Sequence, residues 1–113
     1  MSSETEIFEK IKEIIWSRQE TFRAKLDMTM NWDHIDYIIA MNGKLGNIND
    51  AIKMLNLGKY KNYKEYHKYL QILLGDMFIY LFIICQTLEI EPYESIIKSF
   101  NKKSAEINSD IKL

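Results

Sequence analysis

YHKYLQILLGDMFIYLFIICQTL, residues 66–88, is the stretch that decides the fold. Tyr66, Tyr69, Leu70, Leu73, Leu74, Met77, Phe78, Leu81, Ile84, Cys85 and Leu88 recur at spacings of three and four, the period of an amphipathic helix. The other side carries Ile72, Ile79, Tyr80 and Ile83, so this helix is apolar nearly all round. Such a helix belongs at the centre of its fold, packed on several sides or at a subunit interface. Asp76 is its one acid, with Ile72, Leu73, Ile79 and Tyr80 as helix neighbours. A carboxylate buried there without a partner would cost several kcal/mol, so a cation, a metal or several donors should accompany it. The most apolar part, Leu70 to Cys85, is interrupted by Gln71 and Asp76 and is too short to span a bilayer.

The flanking sequence repeats the helical period. Ile7, Phe8, Ile11, Ile14, Ile15 and Phe22 predict a helix from about Glu4 to Lys25, followed by a polar connection over Asp27–Asn31. Ile35, Ile38, Met41, Leu45, Ile48, Ile52 and Leu55 predict the next, with Asn31 or Asp33 as its cap and Asn56-Leu57-Gly58 as its stop. Gly43 and Gly46, with Asn42, Asn47 and Asn49, are poor helix formers at roughly 0.5–1 kcal/mol each against alanine. Tertiary packing must hold that segment straight, or it bends. Pro92 suits a first helical position, and Tyr93, Ile96, Ile97 and Phe100 form the fourth stripe. From about Ser104 the apolar content falls and fraying is expected. With one proline and four glycines in 113 residues, the elements are long. The expectation is an all-α, four-helix antiparallel bundle forming one domain, with a core over about 4–103. A central helix this apolar in so short a chain also predicts a homodimer, which would bury what four helices alone cannot cover.

Composition narrows the function. The net charge of −1 leaves no global field for nucleic acid or an anionic membrane. A single cysteine, Cys85, cannot make an internal disulfide, and the acidic start MSSETEIFEKIKEII lacks the basic segment of a leader. A cytoplasmic location is expected. His34 and His67 have no partners at metal spacing, and Cys85 lies in the core stripe, where it reads as a small apolar residue. The tract KYKNYKEYHK, residues 59–68, is the most basic in the chain and reads as a solvated helix start with Tyr66 turned inward.

Two segments carry a family resemblance. LGNINDAI, residues 45–52, is similar to the first motif region of the MazG-like nucleotide pyrophosphohydrolases, which includes a glycine and an alanine at these places. LQILLGDMFIYL, residues 70–81, is similar to their second motif, ending in Gly75-Asp76. Ile97–Lys103 resembles the basic segment that follows, and Arg18-Gln19 an upstream pair, so the likeness covers residues 18–104. The resemblance implies a helical bundle, assembled as a homodimer or homotetramer, whose acidic side chains gather Mg²⁺ for cleavage between the α and β phosphates of a nucleoside triphosphate. Hard oxygen ligands of that kind are what Mg²⁺ takes.

The motif acids are mostly missing here. The expected glutamates fall on Gly43, Lys44, Asn47 and Leu73, and Asp76 alone is retained. One carboxylate facing one ammonium cannot hold Mg²⁺ as a cluster of acids does. No cofactor is then expected. Lys44 should point to where the metal would sit, either neutralising Asp76 or binding phosphate directly with Asn47, Lys98, Lys102 or Lys103. The first reading is therefore a MazG-like protein that has lost hydrolysis and binds a nucleotide, a phosphate group or a protein partner. A second is a divergent pyrophosphohydrolase, its Mg²⁺ held by Asp50 and Asp76 with Glu65 or Glu20. A third is a structural helical module that binds nothing in the former pocket.

Overall fold

The computed structural model of the chain describes residues 3–26 and 32–113. They form four α-helices and, among the described residues, no strand: α1 (Ser3–Leu26), α2 (His34–Asn56), α3 (Tyr63–Leu88) and α4 (Pro92–Glu106). The connection expected over 27–31 lies outside the described residues.

Local chemistry explains the boundaries. Asp33 caps α2 by accepting from the Ile35 and Asp36 amides, while the Asp36 carboxylate accepts from the Asp33 amide, a reciprocal box that satisfies the free donors of the first turn. These backbone donors hold the Asp33 carboxyl below its ordinary pKa. Gly58 stops the element with φ at +69°, its amide returning to the Leu55 carbonyl. Asn62 caps α3 through the Glu65 amide, so this helix begins three residues before the apolar stripe does. It closes on Glu89 in the left-handed region (φ +56°), an uncommon conformation away from glycine, with the Ile90 amide bonded to the Cys85 carbonyl. Pro92 opens α4 in the first turn, where its missing donor would have had no partner.

α2 and α3 pack together over most of their length, and they run antiparallel: Tyr37 clusters with Ile83 and Ile84, while Lys44 meets Asp76. Tyr37 and Met41 of α2 cluster with Ile79, Tyr80, Ile83 and Ile84 of α3, and Ala51 of α2 and Tyr66 and Leu73 of α3 are buried as well. α2 continues through Gly43 and Gly46, held by that packing against its local propensity. α1 meets α3 over a shorter stretch, bringing Ile15 and Trp16 to the Tyr37 cluster and Phe8 to Phe82, ring centroids 5.1 Å apart. α4 is joined to the rest chiefly at its start, where Tyr93 packs edge-on to Phe8 and Glu91 pairs with Lys12. Past α4 the chain turns back, and both backbone groups of Leu113 bond to the Asn101 amide side chain.

The arrangement is open. Its radius of gyration is 17.3 Å, where a compact chain of this length has about 13 Å. Tyr37, at 1% exposure, is its most deeply buried large side chain.

Candidate functional site

The pair singled out by sequence is brought together. Lys44 Nζ lies 3.4 Å from Asp76 Oδ2, bridging α2 and α3 near the middle of both helices. The antiparallel register produces this meeting. Counting down α2 from Tyr37 to Lys44 moves seven residues, and counting up α3 from Ile83 to Asp76 moves seven.

Asp76 is not enclosed as its apolar neighbours suggested. Its side chain is 35% exposed and that of Lys44 33%. The reason is angular: Leu73 and Tyr80, one turn to either side, take the inward side of α3, and Asp76 stands at its edge. An ion pair at a wet edge contributes about 0–1 kcal/mol. It links the helices without governing their stability.

The remaining candidates scatter. Leu73 is buried, filling with hydrocarbon one position where the resemblance expects an acid. Asn47 is exposed one turn beyond Lys44, and Asp50 is exposed and about 9 Å farther along the axis than Lys44. Lys98 and Lys102 are exposed on α4, and among the described residues they make no ion pair. Lys103 pairs with Glu106 on the same surface. Glu20 and Glu65 are exposed on α1 and α3. No three His, Cys, Asp or Glu side chains converge among the described residues. His34 is half-buried in the first turn of α2, and His67 rests near the Tyr63 ring, centroids 6.4 Å apart.

The strongest polar cluster lies elsewhere. Lys12 Nζ sits 2.7 Å from Glu91 Oε2 and 3.0 Å from Glu9 Oε2, beside a 260 Å³ cavity lined with Cys85, Gln86 and Glu89. The hydrogen bond from Lys12 holds the Glu91 carboxyl below its ordinary pKa, and that bond raises Lys12 above its own. Burial, with the Glu91 charge behind it, pushes the Cys85 thiol up, which keeps it protonated and a poor nucleophile. Sequence offered no sign of this cluster, since Lys12 and Glu91 stand 79 residues apart and neither belongs to a motif. A second cavity, 370 Å³ with apolar walls, opens between α3, α4 and Phe8 of α1. At the far end of the molecule Tyr60, Tyr63 and Tyr66 pack ring to ring.

α3 as a whole, 26 residues, is long and apolar enough by length and composition to cross a membrane, and 17% of its most apolar window is buried. The bilayer argument from sequence rested on the shorter stretch 70–85, whereas the helix runs from Tyr63 to Leu88. Compared with known proteins, the chain matches no family model, no curated protein and no solved structure.

Proposed function

We propose that this chain is a cytoplasmic binding protein on an antiparallel bundle of the MazG-like type, one that has lost Mg²⁺-dependent pyrophosphohydrolysis and takes a nucleotide or phosphate group at Lys44. The observation that carries the reading is the Lys44–Asp76 contact at 3.4 Å, an ammonium where the resemblance expects a metal. The pair is wet, weak and therefore exchangeable. An arriving phosphate competes with one carboxylate at a cost of about 1 kcal/mol or less. Asn47, one turn from Lys44 on the same edge of α2, has a free amide to donate to the same ligand. Lys98 and Lys102 of α4 are the outlying members of the proposed ligand set, adding positive charge to a chain that is otherwise near neutral.

Asp76 is the competitor in this scheme and Lys44 the anchor, so their variants should move in opposite directions. With nucleoside triphosphates and no metal, the melting temperature should rise. That rise should vanish in Lys44→Met and grow in Asp76→Asn. Adding Mg²⁺ should release no pyrophosphate. Turnover that Asp76→Ala abolishes would instead establish a divergent hydrolase with Asp50 and Asp76 at its metal. The absence of any shift across a nucleotide panel would leave a protein partner, or a purely structural role, for the same helices.

A further inference from the structure

The outward side of α3 carries no charge. Between Tyr69 and Leu88 the sole charged residue is Asp76, and it is turned to α2 and paired with Lys44. Phe78 nevertheless stands 63% exposed, with Leu74 beside it also in the open. A helix face that lives in water ordinarily carries charged side chains. Next to Phe78 lies the 370 Å³ apolar crevice between α3 and α4, with Leu81, Phe82 and Ile96 on its walls.

We infer that a second copy of this chain covers this face, in a two-fold arrangement in which the Phe78 ring of each copy enters the crevice of the other. A two-fold interface joins one patch to itself, so the patch must offer both a projection and a recess. Phe78 is the projection, and the crevice it flanks is the recess. Area argues for a copy of the chain as the occupant. The chain exposes 8698 Å², about 2,200 Å² more than a monomer of its mass ordinarily does. Obligate homodimers hide roughly 1,000–2,500 Å² per partner, so the excess is of the size a stable dimer removes. A bilayer suits the face less well. Charges of both signs stand on the same helices as Phe8 and Ile96 of the crevice wall, Glu9 and Lys10 on α1 and Glu94 and Lys98 on α4, and membrane-surface helices carry a basic rim.

This inference is independent of the ligand at Lys44. In sedimentation equilibrium the wild-type chain should behave as twice its 13.5 kDa. Phe78→Glu and Ile96→Glu, on the two sides of the crevice, should each weaken self-association by at least about 30-fold, the loss typical of a central interface residue. Both side chains are exposed, so helical circular dichroism should be retained. Ile39→Glu, equally exposed but on α2, should leave association unchanged. A wild-type monomer at high micromolar concentration overturns the inference, as does a dimer that survives both crevice variants. A monomer that floats with phosphatidylcholine vesicles would make the bilayer the occupant and overturn it too. A monomer that still shows a Lys44-dependent nucleotide shift would remove the dimer and leave the binding reading standing.

Discussion

Tyr37 shows what one side chain contributes here. Its ring is the most enclosed in the molecule, packed edge-on against Trp32, and its hydroxyl accepts a 3.1 Å hydrogen bond from the Gln19 side-chain amide. Ring and hydroxyl should separate in a urea titration at fixed protein concentration. Tyr37→Phe should cost about 1 kcal/mol for the lost bond, and Tyr37→Ala about 3–5 kcal/mol for the cavity. A Tyr37→Ala cost near that of Tyr37→Phe would show that the three-helix contact is far looser than its burial implies. Lys44 and Asp76 lie at the opposite extreme. Each is a third exposed, so Lys44→Met or Asp76→Asn alone should move stability by less than about 1 kcal/mol in the same titration. A loss of several kcal/mol from either would mean that the pair is dry in solution.

At the scale of elements, α4 is tied on by chemistry that titrates. Glu91 caps α4 through the Tyr93 amide and at the same time accepts from Lys12 of α1. Its pKa is lowered on folding, so its contribution is present above the unfolded carboxylate value, near pH 4, and is lost as pH falls through the folded one. Lys12 is raised, so its contribution holds below its ordinary 10.5 and is lost only as pH rises beyond that. The stability gap between wild type and Glu91→Gln, about 1–2 kcal/mol for a lost charged hydrogen bond, should be open at pH 7 and close as pH falls below about 4. A gap that stays the same size from pH 7 down to the onset of acid unfolding would assign the effect to packing. The glycines of α2 give the opposite sign. A methyl added at Gly43 or Gly46 meets no heavy atom within 4 Å, so each alanine should stabilise α2 by about 0.5–1 kcal/mol. A loss in thermal denaturation would show that another chain approaches α2 closely at that face. The elements themselves were legible because period and caps are local: the α3 stripe, Gly58 and Pro92 fall where the helices start and stop. The Lys44–Asp76 meeting was expected only by way of the resemblance, because no local signal pairs two residues 32 positions apart. The burial of Asp76 was misjudged, because an apolar helix surface tells which neighbours are adjacent and not which of them a second helix covers. The Lys12–Glu91 tie had no local signal at all.

For the whole molecule the question is how four long helices remain folded while exposing so much hydrocarbon. Ile7, Ile14, Ile39 and Ile72 are each at least 60% exposed, and among the described residues six hydrophobic side chains form the buried core. Domains of this length normally hide about two-thirds of the unfolded chain's surface in one core. Here the four helices bury little of their apolar surface against one another, and the second copy inferred above would remove more of it from water. If folding and association are one event, stability must depend on protein concentration by mass action. Unfolding a dimer of 113-residue chains should absorb about 160 kcal/mol, so each tenfold rise in concentration should lift the melting temperature by about 3 °C. Phe78→Glu should melt lower and with no concentration dependence. A wild-type melting temperature that stays constant over two decades of concentration would mean that one chain folds alone, and its exposed isoleucines would then await a different protein.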